Sequence, residues 1–130
     1  MGATDSAIDR QRGETLMTIE RFNEAFNRHD VDAVMALMTE DVVFENTSPA
    51  PDGERFEGQT AVRALWERFF AASPDAWFDV EDLFAAGDRC LVRWRYRWGG
   101  DGPNAGHVRG VDVFRVRDGK VAEKLSYVKG

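Results

Sequence analysis

The sequence predicts an α+β fold, with helices packed on one face of a curved antiparallel sheet. Three observations predict it. Apolar residues near the N-terminus recur at three- and four-residue steps, the helical period. The second half alternates with a period of two, the strand pattern. And 130 residues is the size of one domain. Helices followed by a meander of strands bury their apolar faces against one another as two layers.

Residues 1–13 are polar and are expected to form a flexible N-terminus, frayed or a loose start to the first helix, ahead of a single domain over 14–130. From Glu14, Leu16, Ile19, Phe22 and Phe26 line one helical face. The run Asn27-Arg28-His29-Asp30 interrupts that face, and Asp30 is a good N-cap for a second helix carrying Val34, Leu37 and Met38 inward. Residues 41–46, DVVFEN, are short and β-branched and predict a strand. Thr47–Gly58 reads as loop from its Pro, Gly and Asp content. Thr60–Ala72 returns to the helical period with Val62, Leu65, Trp66, Phe69 and Phe70, and Ser73-Pro74 ends it. Strands follow at Ala76–Ala86, Cys90–Trp98, Val108–Val116 and Lys120–Val128.

Composition excludes several classes of function. The net charge of −6 repels phosphate backbones and anionic lipid, so neither nucleic acid nor membrane is an expected partner. The single cysteine, Cys90, allows no disulfide framework and no cysteine-rich metal site. Two scattered histidines, His29 and His107, lack acidic partners at ligand spacing, so no metal is expected. No phosphate-cradling glycine motif opens a helix, and no cofactor is implied. No secretory signal or membrane-length apolar run is visible, so the expected location is the cytoplasm.

Sorting strand residues by parity places Cys90, Val92, Trp94, Tyr96 and Trp98 on one face and Arg93, Arg95 and Arg97 on the other. The plainer use of the arginines is pairing with Asp79 and Glu81 across strands. The last hairpin admits two registers. A two-residue Asp-Gly turn sets Leu125 opposite Asp112. A three-residue loop sets Lys124 opposite Asp112 and Ser126 opposite Gly110. The second leaves Val111, Val113, Leu125 and Tyr127 as an apolar stripe on the other face, to be covered by a second copy of the chain in a homodimer.

The phrases FNRHDVDAVMALMTEDVVFEN, PDGERFEGQTAVRALWERFF and RGVDVFRVRDGKVAEKLSYV, in this order and spacing, resemble the NTF2-like superfamily and its SnoaL-like and ketosteroid-isomerase-like branch. The resemblance covers nearly all of residues 14–129. It implies three N-terminal helices and a curved sheet forming a cone around a pocket, usually in a dimer. It also favours the three-residue register, because family members point the residue matching Asp112 inward. The fold carries isomerases, cyclases, dehydratases, epoxide hydrolases and non-catalytic modules, so it does not fix the chemistry. The isomerases use an aspartate base where this chain has Asn46, which takes no proton at neutral pH. They use a tyrosine where it has Phe22; only their second oxyanion donor matches, at Asp112. The known ketosteroid isomerase mechanism is therefore not expected. SnoaL-like cyclases often place histidine and aspartate where this chain has Lys124 and Ser126. The Asp–Arg–Asp set of limonene epoxide hydrolases finds no match.

Asp112 is the central candidate, as acid/base or anchor. Desolvation favours its neutral acid, while a neighbouring Lys124 favours the carboxylate. Alternatively it closes a polar seam in the core with Lys124, Asn46 or water. Asn46, Tyr96, Lys124 and Ser126 are candidate polar ligand contacts. Trp94, Phe22, Phe26, Trp66 and Phe70 either line a cavity or are plain core. The expected ligand is a small, mostly hydrophobic organic molecule with one or two oxygens. The expected chemistry, if any, is cofactor-independent isomerisation, cyclisation or dehydration. The rival is a non-catalytic ligand-binding or protein-interaction module.

Overall fold

The computed structural model describes the backbone of residues 3–130 and the burial of side chains from residue 6 onward. Three helices and six strands follow in the order α1 (Ala3–Asn27), α2 (Val31–Ala36), β1 (Met38–Glu45), β2 (Arg55–Glu57), α3 (Gln59–Ala72), β3 (Trp77–Ala86), β4 (Arg89–Trp98), β5 (Gly106–Arg117) and β6 (Lys120–Val128). The α+β class holds. Only α1 and α2 precede the sheet, however; α3 follows β1 and β2, so the expectation of three N-terminal helices is corrected.

Helix α1 begins at Ala3, well before Glu14. From residue 6 to Glu14 its side chains are exposed and mostly polar, so they carry no apolar period, and an Asp9–Arg12 pair at 3.7 Å braces this stretch. Of the stretch expected to be frayed or a loose start to the first helix, the backbone is helical from Ala3, and residues 1 and 2 lie outside the described residues. Further on, Ile19, Phe22, Ala25 and Phe26 are buried. The helix ends in a paired backbone motif: the Asp30 N–H donates to Ala25 O (3.2 Å) and the His29 N–H to Phe26 O (2.9 Å). His29 takes the left-handed conformation there (φ 57°), where glycine is usual. It is held by a 2.8 Å contact from Nε2 to Ala76 O and by stacking on Phe70 at 4.5 Å. Asp30 caps α2 by accepting from the Ala33 N–H at 3.0 Å. Met38, expected on that helix, instead opens β1 and is buried. Gln59 ties this junction to α3, donating from Nε2 to the carbonyls of Met35, Met38 and Thr39 at 3.2, 3.0 and 3.1 Å.

The sheet order is β2-β1-β6-β5-β4-β3. β1 runs parallel to β6, so the sheet is mixed, where an antiparallel sheet was expected. Alternation fixes which face a side chain takes but not which strand becomes its neighbour, and that choice rests on long-range packing. The three-residue β2, inside the expected loop, pairs with β1 at the sheet edge.

The last hairpin follows neither register in full. Arg117 pairs with Lys120 across a two-residue turn in which Asp118 and Gly119 are both left-handed (φ 54° and 73°), the twist-matched turn for Asp-Gly. The register then shifts: Val116 faces Val121, but Arg115 faces Glu123, leaving Ala122 as an extra residue. Beyond this bulge Asp112 faces Ser126, Val113 faces Leu125 and Gly110 faces Val128. The three-residue loop is thus corrected, as is the pairing of Lys124 with Asp112; Lys124 faces Phe114. The extra residue restores the parity that the turn had reversed. Asp112, Lys124 and Ser126 consequently share the helix-covered face, and Val111, Val113, Leu125 and Tyr127 the outer one.

The core lies between α1, α3 and the inner face, around Phe22, Ile19, Phe114 and Val62. Among the described residues, no helix is long and apolar enough to cross a membrane.

Candidate functional site

β5 and β6 present Asp112, Lys124 and Ser126 side by side because alternation on paired strands brings every second residue to one face. Asp112 and Lys124 are buried, at 5% and 7% exposure, which singles them out in a chain with few buried charges. Ser126 Oγ donates to Asp112 Oδ1 at 2.6 Å. Lys124 Nζ donates to Ser126 Oγ at 3.0 Å and lies 3.3 Å from Asp112 Oδ2. The three groups form a closed polar triangle.

Aromatic rings surround the amine. Lys124 Nζ lies 4.7 Å from the Phe44 ring centroid, 5.6 Å from Trp66, and 5.9 Å from both Phe26 and Phe114. Such faces attract a cation within about 6 Å. They do not replace its hydration. Burial pushes the Lys124 amine below the ordinary lysine range, and the Asp112 charge and hydrogen bond oppose that shift without cancelling it.

The triangle forms the polar end of a cavity of about 230 Å³. Of the residues expected at a pocket, Asp112, Asn46, Tyr96, Lys124 and Ser126 line it, with Trp94, Trp66 and Phe26. Two do not. Phe22 sits one turn back on α1, its ring closed by an edge contact to Phe114 at 5.6 Å, and borders a separate pocket of about 20 Å³. Phe70 turns toward the α1–α2 junction, under His29. Asn46 spends its side-chain oxygen on the loop after β1, accepting from Glu54 N–H at 2.8 Å and Ser48 N–H at 3.3 Å. Only its amide donor is left for the cavity.

Further lining residues escaped the sequence reading. Phe44 and Phe78 line the cavity, and both carried a usable signal: Phe44 alternates with Val42 and Asn46, and Phe78 stands opposite Tyr96. Phe69 had none, since helical spacing does not separate it from Phe70. The small pocket adds Asn23 beside Trp94, Asp112 and Lys124. The Asn23 Nδ2 and Trp94 Nε1 donors are buried there without protein partners. Cys90 is inert: burial pushes its thiol up to about 11. Among the described residues, no cluster of His, Cys, Asp and Glu is arranged to hold a metal ion.

The comparisons with known proteins fit this geometry. The model of the SnoaL-like domain matches residues 19–124. The chain belongs to the SnoaL-like domain family. An NTF2-like protein of unknown function from Mesorhizobium loti is 45% identical, covering 92% of this chain and 94% of that one, with a TM-score of 0.79. A candidate SnoaL-like polyketide cyclase from Jannaschia sp. is 22% identical over 92% of this chain and 88% of its own, with a TM-score of 0.77. A candidate ketosteroid isomerase from Kribbella flavida is 21% identical over 92% and 81%, with a TM-score of 0.75. At such identities the last two speak for the fold alone. No curated protein matches the chain.

Proposed function

We propose that this SnoaL-like chain binds a small, mostly hydrophobic organic molecule bearing one or two oxygens, and acts on it by cofactor-free proton chemistry of the isomerase, cyclase or dehydratase type. One observation carries the reading: an aromatic cavity whose buried charged groups meet in a single triangle, Asp112–Ser126–Lys124. The apolar walls would desolvate the ligand, and the triangle would meet its oxygen with a hydrogen-bond donor and a proton acceptor. Asn46 and Tyr96 would supply further donors. Asn46 and Phe22 stand where the isomerase base and tyrosine would be, so the known ketosteroid isomerase route is not proposed.

The reading is tested by titrating a panel of cyclic ketones and enones against the protein, with the indole and amide NMR signals of the lining residues as readout. Chemical-shift changes confined to the cavity are expected, weakened by Asp112→Asn. A panel that leaves those signals unmoved would sink the proposal.

The outer face supports a second role, self-association. Tyr127 and Phe84 are each 55% exposed there, beside the half-buried Val111, Val113 and Leu125. A homodimer formed through this stripe would cover them. Light scattering at micromolar concentration should give twice the chain mass, and Leu125→Lys should return it to monomer.

A further inference from the structure

Lys124 is one of only three lysines in the chain, with Lys120 and Lys129, and the other two are exposed. Its amine lies in the cavity wall, inside an aromatic enclosure, and its hydrogen bonds run to Ser126 and through Ser126 to Asp112. Acid/base roles for Asp112 do not require an amine at this point. A pair kept only for stability would not require it either, since apolar replacements of buried ion pairs are often at least as stable.

We propose that Lys124 is a covalent carbonyl-capturing residue, which condenses with a small apolar aldehyde or ketone held in the cavity to form an imine. This rests on the cavity reading above and names the substrate class. The ammonium first passes a proton to the Asp112 carboxylate, directly or through Ser126 Oγ. The freed Nζ lone pair attacks the carbonyl carbon; a C–N bond forms as the C=O π pair moves to oxygen. Asp112 returns the proton to that oxygen, then takes a second one from nitrogen, which leaves a neutral carbinolamine. It gives this second proton to the hydroxyl, and the C–O bond breaks. The oxygen leaves as water with two of the three original ammonium protons, the third stays on the iminium nitrogen, and Asp112 ends as the carboxylate it began. No oxidant or reductant is consumed. The iminium product is again a cation, which suits the same ring faces and the same counter-ion. The lowered basicity of Lys124 works in the same direction, because only a neutral amine attacks carbon.

The test incubates the full-length protein at neutral pH with benzaldehyde and sodium cyanoborohydride, which reduces an imine to a stable secondary amine. Peptide mass spectrometry then locates the added benzyl groups. Labelling of Lys124 about tenfold or more faster than Lys120 and Lys129 is expected, with loss of the cavity-directed adduct in Lys124→Arg and slower labelling in Ser126→Ala. Comparison with the two exposed lysines of the unaltered protein decides the matter even if a variant fails to fold. Benzyl alcohol serves as the non-carbonyl probe. If it shifts the cavity's NMR signals while Lys124 labels no faster than its fellows, imine formation is overturned and the pocket reading stands. If neither probe reaches the cavity, both are overturned.

Discussion

On the inner face, Lys124 and Asp112 approach to 3.3 Å with side chains 9% and 8% exposed; on the outer face, Arg97 and Asp79 approach to 2.6 Å with side chains 45% and 33% exposed. The outer contact is shorter, and Arg95 reinforces it at 3.1 Å. Shortness does not measure consequence. The outer carboxylate keeps water for its neighbours, and its arginines hold it below the usual carboxylate range, Arg97 first. The inner amine has lost its water and is pushed the other way, below its own ordinary range, despite its counter-ion. One sheet thus carries solvated cation–carboxylate pairs on its outer face and one dehydrated pair on its inner face.

The comparison is broken most severely by removing one inner partner. Lys124→Met or Asp112→Ala leaves a buried charge uncompensated and should cost about 3–5 kcal/mol in urea unfolding. The double replacement Asp112→Leu/Lys124→Met should cost far less, within about 1 kcal/mol of the parent or better. Equal losses in single and double variants would mean that packing, not charge, governs the site.

A smaller effect is expected at Gly110, where an added Cβ would meet the backbone carbonyl oxygen of Tyr127 on β6 first and would also come 2.6 Å from the Trp94 ring. Gly110→Ala should cost roughly 1–3 kcal/mol by overpacking and displace Trp94 from the cavity wall, visible in its fluorescence.

The pH response separates the faces by range: both groups are lowered on folding, so both make stability rise with pH, one in alkali and one in acid. The folded value for Lys124 is lowered from 10.5, so across the interval up to 10.5 the unfolded chain binds more protons, and stability rises with pH. The raised Cys90 thiol, at about 11, acts with the opposite sign over pH 9 to 11, so the gain is read as the difference between thermal melts of the parent and of Lys124→Met, which lacks it. Asp79 is lowered from 3.8; its contribution is present above that value and lost as pH falls through the folded one. Asp79→Asn should remove that acid-side loss.

The smallest effect is expected from Asp79→Asn at neutral pH. Its partners are exposed, so about 0.2–1 kcal/mol should be lost, and less in high salt.

Much of this contrast was legible before any coordinates. Strict alternation in CLVRWRYRW separated the arginines from the tryptophans, and the arginine–carboxylate ladder followed, with one exchange: Glu81 bonds Arg109 at 3.0 Å, across the sheet from β5. Among the described residues Arg93 joins no ion pair, since Arg95 and Arg97 both take Asp79 and Arg109 takes Glu81. The cavity was legible in part. Trp66, Trp94 and Tyr96 reach it, but Phe22 and Phe70 do not, because a helical period gives a face about three residues wide and cannot say which ring meets a hollow and which meets another ring.

The sequence by itself determined the α+β class, the faces of β4 and the presence of an acidic residue in an apolar row, because each depends on side-chain period, a local property of the backbone. The tertiary structure decided the rest: the parallel pairing of β1 with β6, the bulge at Ala122 that returns Asp112, Lys124 and Ser126 to one face, and the closing of four rings around one amine. These depend on contacts between residues far apart in the chain, where a single inserted residue reverses every side chain beyond it.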